Sequence, residues 1–199
     1  RERLAVLRQA CGGPLTWRCL GDAAGRGTWK ANRGPDAWGL VKVALADPVT
    51  ESDGLAGLAA VTFGFKPELA TGVEDPAQND DFQRWLTGLA RAIPHPTPPL
   101  ATVLAAGPAV ADVYIGLEAN VDSVLRTSAR RAEMEVVYLP PVIEATAVLV
   151  SPGRAAPGGL REALAPAGWD RRRPTPGALP LATAKTLVGL RTLWRDSVR

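Results

Sequence analysis

The run VKVALADPVTESDGLAGLAAVTFGF, residues 41–65, decides how the chain is read. It opens with an apolar stretch over 41–46, short and partly β-branched, which suits a buried strand. Asp47-Pro48 stops that strand, because proline brings no backbone donor and restricts the residue before it. Thr50, Ser52 and Asp53 then place oxygen atoms ahead of a helical pattern of Leu55, Leu58, Ala59, Thr62 and Phe63. Thr50 and Asp53 have the T-x-x-D spacing of a helix cap. The expectation is strand, polar turn, helix. In an open α/β sheet such a turn lies at the carboxyl edge of the strands, where ligands bind and helix N-termini attract anions. Turns of this composition also serve as caps alone, which is the plainer reading.

A second stretch repeats the arrangement. In ADVYIGLEANVDSVL, residues 111–125, Val113, Ile115 and Leu117 alternate as a strand, and Val121, Val124 and Leu125 begin an apolar helix face. Glu118 and Asn120 fall between them, so two turns from separate strands are expected to face one cleft.

Around these units the pattern is mostly helical. Residues 2–10 read as a short helix with Leu4, Val6 and Leu7 on its apolar side, ended by Gly12-Gly13-Pro14. Residues 16–39 read as irregular and hold Trp17, Trp29 and Trp38. Core cover is expected for Trp17, while Trp29 and Trp38 flank the entry to the first strand, where Trp38 is a candidate ligand contact. A helix over 53–64 is followed by a surface loop over 66–78. Asn79 and Asp80 then cap a helix with Phe82, Trp85, Leu86, Leu89, Ala90 and Ile93 on one face. A stiff proline connector over 94–99 leads to a helix over 100–106. Strands are expected over 135–139 and 145–150 on either side of Pro140-Pro141. A helix over 160–167 stops at Gly168, a basic turn occupies 169–173, and a last helix runs over 181–194. Strand–helix units in this order suit an α/β class with mainly parallel strands.

Composition narrows the function classes. With 46% hydrophobic and 22% charged residues in 199, the chain is globular and has one large or two small domains. No apolar run reaches the ~18 residues that cross a bilayer. The first residues lack the long apolar core of a signal peptide, so the expectation is a cytoplasmic chain or a portion of a secreted one without its leader. A net charge of +3 permits acidic ligands but does not argue for nucleic acid. Cys11 and Cys19 are too few for a zinc site, and the single histidine, His95, lies in a proline-rich stretch. A local disulfide is expected, contributing about 2–3 kcal/mol and requiring an oxidising compartment. Two buried thiols are the alternative.

Several segments resemble, in order, the bacterial extracellular solute-binding family, the type 2 periplasmic-binding proteins that include molybdate binders. DPVTESDGLAGL resembles its first crossing between lobes, and GPAVADVYIGLE the strand whose end faces the ligand. EVVYLPPVIEATAVLVSP looks like the return crossing, and LREALAPAGWD is similar to a late helix ending in a glycine-aromatic pair. The resemblance covers about residues 37–170. It implies an α/β fold of two lobes with mainly parallel sheets joined by crossing strands, closing on a ligand by a hinge. The first lobe, from 1–36 and 140–199, is then incomplete, since a family member opens with a strand-helix-strand unit; 37–139 form the second.

The resemblance implies ligand contacts from Thr50, Ser52, Asp53 and the backbone of Gly54 in the first turn, and from Glu118 and Asn120 in the second. Hydroxyls and amides suit an oxyanion, whereas the carboxylates suit an amine, a sugar hydroxyl or a metal; the ligand class stays open. The implied partners are a small molecule and a membrane transporter of the ABC type, or a neighbouring domain of the same chain. An extracellular or cell-surface location follows. No cofactor, metal ion or nucleic-acid partner is expected. One alternative is a ligand-free cell-surface interaction or sensor module with the same fold. Another is a carboxylate-dependent hydrolase using Asp47, Asp112 and Glu118. The chain has no G-x-S-x-G, P-loop or Rossmann glycine fingerprint, so it is not expected to be an enzyme.

Overall fold

The two strand-to-helix units fold side by side. A computed structural model describes residues 1–144 and 178–198. The strand expected at 145–150, the helix at 160–167 with its Gly168 stop, and the basic turn at 169–173 lie outside the described residues, as does much of the expected return crossing. Strand β1 (Val43–Leu45), buried at every position, pairs in parallel with β2 (Val113–Ile115) in the register Val43 to Val113, Ala44 to Tyr114 and Leu45 to Ile115. Both occur within the two decisive stretches. A second parallel pair, β3 (Ile143–Glu144) with β4 (Leu179–Pro180), is only two residues long. The architecture is therefore mixed α/β, rich in helix, with short parallel strands.

Helix α1 (Glu2–Ala10) is followed by α2 (Trp17–Gly25), where the sequence pattern indicates irregular chain. Thr16 caps α2 by accepting a hydrogen bond from the Cys19 amide at 3.2 Å, and Leu20, Ala23 and Ala24 are buried. Glycines hide this helix from propensity reasoning, yet they serve its packing. A Cβ on Gly21 would stand 2.1 Å from the Trp85 ring, and one on Gly88 would stand 3.2 Å from the Cα of Gly25. Small residues let α2 press directly on α5 (Asp80–Arg91).

Helix α3 (Ser52–Phe65) is buried nearly all round, as befits a helix with few polar residues beyond its first turn. Gly57 lies against Leu45 and Gly64 against Trp17. The expected loop over 66–78 contains a short helix, α4 (Pro67–Thr71), and a 3-10 turn (Pro76–Gln78). Asn79 caps α5 as expected, accepting from the Phe82 amide at 2.8 Å. Helix α6 (Leu100–Ala106) lies where the pattern places it, and α7 (Glu118–Leu125) follows β2. The last helix, α8 (Ala184–Leu193), ends in a π turn (Trp194–Val198).

The strand expected over 135–139 does not form. Val137 and Leu139 pack on the core, and the Pro141 carbonyl accepts from the Trp17 indole at 3.2 Å. The segment is held by side chains where a strand would use a ladder. Cys11 and Cys19 are bridged, with Cα atoms 5.8 Å apart, tying the end of α1 to the first turn of α2. No helix among the described residues is long and apolar enough to cross a membrane.

One apolar cluster takes Leu7, Leu20 and Trp29 from the first residues, Val43, Leu58, Phe82, Leu86 and Ile115 from the middle, and Leu190, Leu193 and Trp194 from the end. It crosses both boundaries of the expected lobes. A division into 1–36 with 140–199 against 37–139 therefore requires part of this cluster to act as an inter-lobe interface.

Candidate functional site: the carboxyl edge of the parallel pair

The turn after β1 is organised by Asp47. Its carboxylate accepts from the Val49 amide at 3.0 Å, and its carbonyl accepts from the amides of Thr50 and Glu51 at 3.2 and 2.8 Å. The chain enters α3 with Glu51 at the N-cap position and no side-chain hydrogen bond to the first turn. The expected T-x-x-D cap is thus absent. Thr50 stands one residue too early, and the Asp53 carboxylate turns away from its own helix.

Asp53 turns to the second unit. Its Oδ1 accepts from the Leu117 amide at 2.9 Å, and Leu117 is the residue that enters α7. A carboxylate in the first turn of one helix therefore satisfies a backbone donor at the start of another, locking the two strand-to-helix turns together. Two glycines make the approach feasible. A Cβ on Gly54 would stand 2.2 Å from the Ala46 carbonyl oxygen, so α3 rests directly on the end of β1. A Cβ on Gly116 would meet the Tyr114 ring at 2.7 Å and Asp53 Oδ2 at 3.2 Å. The Gly54 position is buried, which makes close packing its evident task.

Around this junction Thr50, Ser52, Glu118 and Asn120 are all exposed. Two residues join them that the sequence pattern did not single out. The Tyr114 hydroxyl is pushed above its ordinary pKa, first by burial and then by the negative charges of Asp53 and Glu51. Arg191 reaches over from α8 and donates to the Val49 carbonyl at 2.9 Å. Tyr114 was concealed by its place in a strand, where an aromatic residue reads as packing. Arg191 was concealed because 142 residues separate it from Val49. The edge thus offers carboxylates, hydroxyls and one guanidinium, a set able to hold a ligand that donates hydrogen bonds to Asp53.

Trp38 is not brought to this edge. It packs edge-on against Trp29, with ring centroids 5.2 Å apart, and both rings flank the Arg3 guanidinium. Arg3 in turn pairs with Asp112, the residue immediately before β2, at the amino edge of the parallel pair. Asp112 also accepts from the Lys42 amide at 2.7 Å and the Trp29 indole at 3.2 Å. Of the three carboxylates considered for acid/base work, Asp112 is thus committed to the opposite edge, Asp47 holds its own turn, and Glu118 stands on the surface. No group of three or more potential metal-ligating His, Cys, Asp or Glu side chains occurs among the described residues. Two open grooves lie elsewhere, one between α2 and α5 and one beside Leu125, Arg126 and Met134. Comparison with protein-family models, curated proteins and solved structures finds no match.

Proposed function

We propose that the chain is an extracytoplasmic solute-binding protein of the type 2 periplasmic-binding plan, taking a small ligand at the carboxyl edge of β1 and β2. The observation that supports this most is the Asp53 hydrogen bond to Leu117, which sets the two turns side by side where α/β sheets bind ligands. Thr50, Ser52, Asp53, Glu118 and Asn120 supply the contacts, with Tyr114 and Arg191 beside them. Gly54 shapes the turn from behind. In this reading the two lobes close on the ligand, a transporter or a neighbouring domain receives it, and no nucleic acid is bound. The Cys11–Cys19 bridge favours an oxidising, extracellular setting.

The test is thermal shift against oxyanions, amino acids, sugars, polyamines and metal ions, with Thr50→Ala/Ser52→Ala as the site control. A ligand bound to the native state raises the midpoint in a saturable way. The double variant loses that shift if the site is assigned correctly, and an unchanged shift places the site elsewhere.

The exposure of Thr50, Ser52, Glu118 and Asn120 favours a second reading, a ligand-free interaction or sensor module of the same fold. It predicts no shift with any small molecule. A hydrolase, the least favoured alternative, would instead turn substrate over.

A further inference from the structure

At the amino edge of the parallel pair, away from the site above, Arg3 is held by a set of groups selective for its chemistry. The Asp112 side chain is fully buried, while 20% of the Arg3 side chain remains exposed. One carboxylate oxygen takes Arg3 Nη1, and the other takes the Trp29 indole N–H and the Lys42 amide. The guanidinium carbon lies 5.3 Å from the centroid of Trp29 and 5.0 Å from that of Trp38, and the two ring planes stand 87° apart. Trp29 is completely buried, whereas Trp38 is only partly so; the recess has a solid floor and a mouth at Trp38 and Arg3.

We propose that the recess formed by Trp29, Trp38 and Asp112 is a guanidinium-binding site, filled in cis by Arg3 of α1. A buried carboxylate with two of its hydrogen bonds already supplied by the fold is preorganised for a cation. Two indole faces select a flat, weakly hydrated cation over a compact ammonium. Because α1 is tied to α2 through Cys11 and Cys19, Arg3 is present at high effective concentration, and an external guanidinium competes poorly with it. Once the Arg3 side chain is removed, the site is open to a small alkylguanidinium from solution.

The experiment compares Arg3→Ala with the unaltered chain, titrating methylguanidinium and methylammonium at equal concentration and ionic strength. Thermal midpoint and tryptophan emission are read together. The expected result is a lowered midpoint in Arg3→Ala, of which methylguanidinium restores more than half in a saturable manner. Methylammonium restores little, and neither compound shifts the unaltered chain. Arg3→Ala/Asp112→Asn should lose the rescue. If Arg3→Ala does not fold unaided, near-ultraviolet circular dichroism reads the recovery of folded signal in the same titration. Equal effects of the two cations, no rescue by either, or rescue that survives Asp112→Asn would each overturn the proposal.

Discussion

Asp53 does two things that a capping residue does not. It closes the junction between the turns, and its charge acts on the Tyr114 hydroxyl. Asp53→Ala removes the acceptor for the Leu117 amide and should destabilise the fold by about 1–3 kcal/mol in urea unfolding, with Asp53→Asn milder because it keeps an oxygen acceptor. The charge effect has its own readout. Burial first, and then the charges of Asp53 and Glu51, raise the Tyr114 pKa in the folded state above the ordinary phenol value of about 10, so the protonated phenol is the form the fold favours. The resulting contribution to stability is fully present below the unfolded pKa and is lost as pH rises from there through the folded pKa. Unfolding free energy should therefore decline as pH climbs above about 10, and Tyr114→Phe should remove part of that decline. Phenolate absorbance supplies the check, with Asp53→Asn ionising Tyr114 at lower pH than the unaltered chain. If the titration is the same in both, the Asp53 charge does not face the hydroxyl. Gly54 sets the steric limit at this junction. Gly54→Ala drives a methyl into the Ala46 carbonyl and should cost roughly 1–3 kcal/mol by displacing α3 from β1.

At the scale of elements, what was legible depended on whether one local signal dominated. The turn residues Asp47-Pro48 and the apolar run before them located β1, and the alternation of Val113 and Ile115 located β2. Asn79 and the spacing of Phe82, Leu86 and Leu89 located α5. Helix α2 is hidden from propensity because Gly21 and Gly25 are poor helix formers, and their compensation is the close approach of α5, which is a tertiary fact. Thr16 was the signal that could have found it. Its loss is a direct test of the cap: Thr16→Ala should lower stability by about 1 kcal/mol, read by chemical denaturation. Residues 135–139 show the reverse, strand composition without a strand. Val136, Val137 and Leu139 have strand composition, but composition does not supply a partner, and Val137 and Leu139 are used by the core instead. The candidate site was legible to the extent that its two turns were. Which atoms meet there was not, because the meeting of Asp53 with Leu117 and of Arg191 with Val49 is set by how distant segments pack.

At the scale of the whole molecule the question is whether 37–139 form a lobe or part of one body. Helix α8 and the π turn after it pack on α3 and α5, and Leu190, Leu193 and Trp194 are 0, 5 and 1% exposed within the main cluster. Burying three such side chains contributes about 5–9 kcal/mol at the usual 1.5–3 kcal/mol each. That is comparable with the 5–15 kcal/mol by which a domain of ordinary size is stable at all. A chain ending at residue 140 lacks all three and uncovers their partners on α3 and α5, so it should show no cooperative thermal transition. Leu190→Ala in the full chain removes one contributor and should cost about 2–5 kcal/mol while leaving cooperativity intact. The segment 37–139 by itself is the sharper case, since it also loses Leu7, Leu20 and Trp29 from the same cluster. Calorimetry should find it without a cooperative transition. A sharp transition from that segment would instead make it a self-sufficient lobe, with the apolar surface it shares with both ends acting as the interface on which a hinge could work.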